Sequence, residues 1–352
     1  MKKIVLAFDS FKGCITAKEA CDAAAMGVLS VCPEATVVQM PMSDGGEGLV
    51  KCVCQIIPTQ TISIRVHGPL KEDIMAEYAL SMDGRTAYME MAAASGLTLV
   101  PQDRRNPMVT TTYGVGEMIA DAVRRGCKTI IMGLGGSATC DGGRGMIMAL
   151  RDNDCLNPDC DVIAACDVSN PLFGRNGAAY IFAPQKGATP EQVALLDNHL
   201  RTFARETELA GIASPSLADY PGAGAAGGLG YALLAYLKAE LHSGIDIMLD
   251  LANFDEAIKD ADLVVTGEGK SDEQTLMGKV PHGVLRRCKK LGVPLWLLSG
   301  SIEDTSGILT KSFDFIRSIN DGDNRPISVL LQADVAKENL TKTMKNLIIK
   351  RQ

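Results

Sequence analysis

The feature that most constrains the fold is a short, unbroken apolar run that stops abruptly in glycine, serine or an acid, and it recurs along the chain. KIVLAF (3–8) runs into Asp9-Ser10, TVVQMPM (36–42) into SDGGEG, and KTIIMGL (128–134) into GGSATCDGG. DVIAACDV (161–168), ADLVVTGEG (261–269), VPLWLLSG (293–300) and FDFIRSIN (313–320) repeat the pattern. Runs with no polar face suit strands covered on both sides, as in parallel sheets flanked by helices. Thr16 followed by Glu19 is a capping-box signature, and it opens an Ala-rich helix reaching about Val31. Strand, helix, strand is the start of a parallel sheet.

A different texture follows. Ile62, Ile64 and Val66 alternate with polar residues, as do Ile74, Ala76, Tyr78 and Leu80, and TAYMEM comes after the Asp83-Gly84 turn signal. Period-2 runs joined by short turns predict an antiparallel meander with one covered face. A helix is expected from about Thr112 to Arg125, stopped by Gly126. A chain of 352 residues suits two domains. The expectation is an α/β protein. Residues 1–62 and 255–352 form a doubly wound parallel-sheet domain, and a mixed-sheet α/β domain, 63–254, is inserted between them.

Composition removes several functions. The net charge is −7 and no basic run clusters, which argues against nucleic acid as a partner. Only five apolar residues precede Asp9, short of the roughly 7–15 of a secretory signal. No segment nears the roughly 20 apolar residues of a membrane span. The expected protein is soluble and cytoplasmic, with no membrane partner. Its eleven cysteines are odd in number, lack any C-x-x-C pair and lie apart from His67, His199, His242 and His282. They read as reduced, mostly buried thiols rather than disulfides or a zinc site.

In open parallel sheets, ligands bind beyond the carboxyl ends of the strands. The stretch MGLGGSATCDGG (132–143) is the richest of those ends, with five glycines. A strand, then glycines with Ser and Thr, then a helix start near Asp141 matches a phosphate cradle, where backbone N–H groups and the helix N-terminus favour an anion. An ordinary strand-to-helix turn likes the same residues. Two other glycine motifs lack their context. GAGAAG (222–227) follows ASPSLADYP rather than a strand, so it is not a dinucleotide fingerprint. GEGKS (267–271) resembles the end of a P-loop, but the first glycine that motif requires falls on Val264. Six acids, Asp9, Asp44, Asp141, Asp167, Glu268 and Asp272, follow apolar runs beside small residues. Singly, each is explained as a helix N-cap. As a set, with Lys12 and Lys270 as cations, they point to a metal-and-polyphosphate site.

Ten blocks in order resemble the signatures of the type I glycerate kinase family. They are DSFKG (9–13), SDGGEG (43–48), EMAAASGL (90–97), YGVGE (113–117), GLGGSATCDGG (133–143), ACDVSNPLFG (165–174), PQKGAT (184–189), PGAGAAGGLGYA (221–232), SGIDIMLDL (243–251) and TGEGKSDEQTLMGKVPHGV (266–284). The resemblance implies an ATP-dependent, Mg2+-assisted kinase acting on D-glycerate, usually giving 2-phosphoglycerate, with a Rossmann-like domain and a second α/β domain inserted into it. Site residues follow from the matching blocks. Gly135, Gly136, Ser137 and Thr139 are expected to cradle phosphate, with Asp141, Glu268, Lys270 and Asp272 also on the nucleotide side. Asp44 and Asp167 are candidates for the metal or for the base that activates the hydroxyl. Lys12 would neutralise transferred charge, and Asp9, Ser10 and Glu47 would bind substrate. Monomer and homodimer are equally open.

Three departures stand out. Cys140 occupies a position where the family usually has Asn, and Ser271 one where a bulkier apolar residue is usual. Only RDNDC joins GMIMAL (145–150) to LNPDCDVIAACDV (156–168), where the family carries a longer excursion. These departures leave a non-catalytic glycerate- or phosphate-binding homologue as the main alternative. A nicotinamide-dependent oxidoreductase using GAGAAG is another. GLGGSAT also echoes the phosphate loop of homoserine and mevalonate kinases, but nothing like DSFKG or SDGGEG accompanies it there.

Overall fold

The computed structural model of the chain describes residues 2–11, 13–45, 48–156 and 158–351. In chain order its first strands are β1 (Lys3–Phe8), β2 (Thr36–Gln39), β3 (Thr59–His67), β4 (Asp73–Ser81), β5 (Thr86–Glu90), β6 (Thr129–Gly133), β7 (Asp161–Ala165) and β8 (Glu240–His242). Then come β9 (Leu263–Gly267), β10 (Lys270–Ser271), β11 (Leu295–Ser299), β12 (Ser301–Ile302) and β13 (Phe315–Ser318). The chain divides into two compact units: Met1–Asp44, Gln55–Ile57 and Ile245–Gln352 in one, Gly45–Cys54 and Pro58–Gly244 in the other. Each has its own buried apolar cluster.

The first unit is a parallel sheet of order β13-β11-β9-β1-β2. Its central strands are buried throughout, as their unbroken apolar sequences require: Ile4 to Phe8 and Leu263 to Val265 are all fully inaccessible. The Thr16–Glu19 box forms as expected. The Glu19 N–H donates to Thr16 Oγ1 at 3.2 Å and the Thr16 N–H to Glu19 Oε2 at 2.9 Å, opening the helix Ala17–Leu29. The chain winds from β1 outward to β2, then returns to place β9, β11 and β13 on the other side of β1. Winding therefore reverses between β1 and β9, the place where open α/β sheets open a crevice for ligands. β1 and β9 pair up to Phe8 opposite Gly267, and the Asp9 N–H continues the ladder to the Gly267 carbonyl at 2.9 Å.

The second unit is a mixed sheet of order β3-β4-β5-β6-β7-β8. β3, β4 and β5 are antiparallel neighbours, the meander that the alternating residues dictate, and β5 to β8 run parallel. Register places Glu90, Gly133, Ala165 and His242 side by side at one edge. Everything that follows those residues leaves the sheet at the same end. Strand limits differ from the sequence reading by a few residues: β2 ends at Gln39, before Pro41, and the helix after the glycine loop begins at Arg144 rather than near Asp141. Proline has no N–H for a ladder, and Gly142 and Gly143 adopt φ of +68° and +78°, so neither stretch continues its element. Among the described residues no helix is long and apolar enough to cross a membrane.

Candidate active site

In the second unit the loop after β6 is open where it matters. Gly135 is half-buried and Gly136 exposed, while Ser137 to Cys140 turn inward. The loop is pinned on one side by the segment Ser95–Leu97: Leu97 N–H donates to Gly136 O at 2.8 Å and Ala138 N–H to Ser95 O at 2.9 Å. No described residue accepts from the N–H groups of Gly135, Gly136 or Ser137. Three consecutive unspent donors at the end of a parallel strand are an array of the kind that can hold an anion. Deeper in, Thr139 is wholly buried and, among the described residues, its hydroxyl has no partner.

Asp141 holds the loop to its surroundings. Its carboxylate accepts from the Thr112 N–H at 2.9 Å, the Thr112 hydroxyl at 2.8 Å, the Gly143 N–H at 3.0 Å and the Gly145 N–H at 3.2 Å. One acid thereby satisfies donors at the start of two helices, Tyr113–Arg124 and Arg144–Asp152. Expected beside phosphate, its carboxylate serves to fix the loop.

Sequence reading missed Lys186. It lies in the 3-10 turn Pro184–Lys186, is only 3% exposed, and reaches back under the loop. Its ammonium donates to Ser137 Oγ at 2.6 Å and to the Thr139 carbonyl at 2.7 Å. Burial pulls its pKa down to about 8 against the opposing pull of Cys140 and Asp141. The segment AAYIFAPQKGAT contains the available signal. A lysine among small and apolar residues has no acid three or four positions away to pair with on a helix.

Behind the loop lies the second glycine motif. Gly227 O accepts from Gly142 N–H at 3.0 Å, and a Cβ at Gly227 would stand 2.0 Å from the Thr139 carbonyl, with φ at +71°. The preceding element is the 3-10 turn Pro215–Asp219, not a strand. GAGAAG is thus packing material for the GGSAT loop. Cys140, 2% exposed, belongs to the same apolar cluster, and burial pushes its thiol up to about 11. At this position the thiol fills space.

At the same sheet edge, Asp167 Oδ1 accepts from Gly244 N–H at 3.1 Å, and Glu90 Oε1 from Gly48 N–H at 2.6 Å. Ser243, next to Gly244, has a buried hydroxyl with no partner among the described residues. Glu90 and Ser243 were not singled out from sequence, because neither flanks a glycine-rich strand end.

In the first unit, candidates collect at the switch point. Asp9, 5% exposed, follows β1 and accepts from the Ser10 N–H at 2.7 Å. Glu268, also 5% exposed, follows the adjacent β9. Its Oε1 accepts from Thr275 Oγ1 at 2.6 Å and Ser271 Oγ at 3.1 Å, and its Oε2 is 3.4 Å from Lys279 Nζ. Ser271 also bonds Ser299 at 2.7 Å, which explains why a hydroxyl stands here in place of an apolar side chain. The close approach depends on Gly267, where a Cβ would stand 1.7 Å from the Leu298 carbonyl. Lys270 is drawn to Glu303 at 2.6 Å and Asp272 at 3.8 Å, and Asp272 caps the turn Glu273–Leu276. Lys279, not Lys270, is the cation beside Glu268. Asp44 lies half-buried after β2. Lys12 and Glu47 lie outside the described residues.

Among the described residues no three His, Cys, Asp or Glu side chains gather as a metal cage. Mg2+ in kinases needs less, one or two carboxylates completed by phosphate oxygens and water, so an acid such as Asp44 or Asp167 fits that requirement.

Comparison with known proteins places this arrangement. The family model described as the glycerate kinase family matches residues 4–155 and 151–351. The two stretches meet at the short RDNDC join. A glycerate kinase from Bacillus cereus is 41% identical over 373 aligned residues, covering 98% of this chain and 97% of that protein. The aligned length exceeds this chain's 352 residues, so the relative carries residues that this chain lacks. The glycerate 2-kinase of Escherichia coli is 43% identical, covering 86% of each chain. A crystal structure from Salmonella typhimurium LT2, assigned as glycerate kinase 2, superposes with a TM-score of 0.84 at 36% identity, over 99% of this chain and 98% of that one. With sequence and architecture agreeing over nearly its whole length, the chain belongs to the glycerate kinase family.

Proposed function

We propose that this chain transfers the γ-phosphoryl group of ATP to D-glycerate and releases 2-phosphoglycerate, assisted by Mg2+. The observation that carries the reading is the row of unspent N–H groups at Gly135, Gly136 and Ser137, held at the end of β6 by Asp141 below and Lys186 behind. Phosphoryl transfer asks the protein for positioned donors on the phosphates more than for covalent chemistry. The 2-position is favoured because the Escherichia coli relative is named a glycerate 2-kinase.

The remaining roles follow from the family blocks. Asp44 and Asp167 are the proposed holders of Mg2+, which when bound neutralises charge on the phosphates, and either could take the proton of the attacking hydroxyl. Asp9, Ser10 and Glu47 bind glycerate, and Lys12 meets the transferred group. Asp141, Glu268, Lys270 and Asp272 are the residues the family blocks give to the nucleotide side. We replace Lys270 in that set by Lys279, because Lys279 lies beside Glu268 whereas Lys270 faces Glu303.

The test is ADP release on adding D-glycerate to enzyme with Mg-ATP, followed by phosphorus NMR of the product. Glycerate-dependent ADP and a 2-phosphoglycerate resonance are expected. A 3-phosphoglycerate resonance would overturn the regiochemistry alone. ADP release that ignores glycerate would overturn the reaction.

A further inference from the structure

The lysine under the glycine loop has an unusual set of partners. Both atoms that Lys186 Nζ touches, Ser137 Oγ and the Thr139 carbonyl, are neutral acceptors, and no carboxylate pairs with it among the described residues. An ammonium has only donors. Ser137 Oγ must therefore accept from it, and the hydroxyl's own hydrogen has to point away from the lysine. The neighbouring N–H groups of Gly135, Gly136 and Ser137 are unspent on the same loop. The buried charge thus converts Ser137 from an ambivalent hydroxyl into a committed donor, on the same loop as three others.

We propose that Lys186 is a positioning residue for phosphate binding, and that its proton fixes the Ser137 hydroxyl as a donor to the nucleotide. This rests on the reading of the loop as the ATP-phosphate seat. When Lys186 is neutral, its nitrogen can accept. The Ser137 hydrogen then turns inward and the ligand loses that donor. ATP affinity is accordingly full below the lysine's pKa, about 8, and falls as pH rises through it.

The groups acting on Lys186 are few. Cys140 and Asp141 come from the loop itself, and Asp197 acts in turn on Cys140 from the helix Pro190–Leu209. Arg105 contributes its backbone, packed against Gly187. Burial keeps Cys140 protonated to about 11, and Asp141 is fixed by its own four donors. Cys140 therefore supplies no competing proton change near pH 8.

The experiment is the pH dependence, from 6.5 to 9.5, of KM for Mg-ATP and of kcat in the wild type, Lys186→Met and Ser137→Ala. The wild type should show KM for ATP rising through about pH 8 to a plateau roughly tenfold higher, with kcat and KM for glycerate nearly flat. Both variants should start with a KM for ATP roughly tenfold higher, and both should lose the rise. Ser137→Ala removes only a loop hydroxyl, so it keeps the proposal falsifiable even where Lys186→Met fails to fold. A rise that persists unchanged in Ser137→Ala overturns the proposal. If Ser137→Ala and Gly136→Ala instead leave ATP binding wholly unaffected, the loop is not the phosphate seat, and the underlying reading falls with it.

Discussion

Two glycine-rich segments of the second unit, 133–143 and 222–228, look alike in sequence and differ in burial: 222–228 is covered throughout, whereas Gly135 is half-buried and Gly136 exposed. In 222–228 the backbone is buried throughout, and the N–H groups of Ala223, Gly224, Ala225 and Gly228 are spent on backbone carbonyls of the same unit. Ala223 N–H bonds Tyr220 O at 2.9 Å, Gly224 N–H bonds Asn170 O at 2.9 Å, and Gly228 N–H bonds Gly224 O at 3.3 Å. In 133–143 the donors of Gly135, Gly136 and Ser137 are left over among the described residues. Glycine in the first case lets two backbones touch. In the second it lets a backbone present its N–H groups to something outside it. A glycine count does not distinguish these uses. What does is the element in front: a buried parallel strand aims its loop at the ligand-binding edge, while a 3-10 turn aims it at nothing in particular.

The contrast breaks most visibly at Gly227. Gly227→Ala places a methyl 2.0 Å from the Thr139 carbonyl at a φ of +71°, so it should cost at least about 3 kcal/mol, read as loss of folded yield or a steep fall in Tm. A variant that folds normally would remove the claim that this motif is packing. The lysine between the two regions comes next. Its pKa is lowered from 10.5 to about 8, so the unfolded chain holds a proton in that window that the folded chain has released. Stability therefore rises as pH climbs from about 8 to 10.5, by at most roughly 3 kcal/mol. Denaturant melts of wild type and Lys186→Met should converge or cross in that window. Parallel curves would mean that the lysine is not desolvated.

Asp141→Asn gives a smaller effect, about 1–2 kcal/mol, because the amide can accept at one atom where the carboxylate accepts at two. Its KM for ATP should rise less than in Ser137→Ala, which distinguishes holding the loop from touching the ligand. The smallest effect is chemical. Cys140 lies where the two segments meet, and its buried thiol should resist alkylation near pH 8 on a timescale at which exposed Cys54 reacts fully. Labelling of Cys140 in the folded protein at a rate like that of Cys54 would show the seam to be open.

Much of the fold was legible because it depends on local rules. Continuous apolar runs gave the parallel strands, alternation gave the meander, and Thr16 with Glu19 gave a helix start. The glycine loop was legible for the same reason, since a strand end and its loop are adjacent in sequence. Lys186 was not, because it lies 49 residues beyond Ser137 and only the topology of the second sheet brings it beneath the loop. Glu268 is singled out by its place after an apolar run, but the cation beside it, Lys279, is not. Lys270 is nearer in sequence, yet the strand-like step at β10 turns it towards Glu303, and Lys279, one helical start later, takes the place beside the acid. The four-donor role of Asp141 was half-read. Its capping function was foreseeable, whereas its hold on Thr112 joins residues 29 apart.

The central claim is that ATP phosphate is received by the N–H groups after β6 and not by those of the other glycine segment. The most direct measurement is amide NMR of the full chain labelled with 15N, titrated with Mg-ATP. The account predicts large shifts at Gly135, Gly136 and Ser137 at low equivalents, with Gly222, Gly224 and Gly228 changing little. Shifts concentrated in 222–228, with the Gly135–Ser137 amides unmoved, would contradict it.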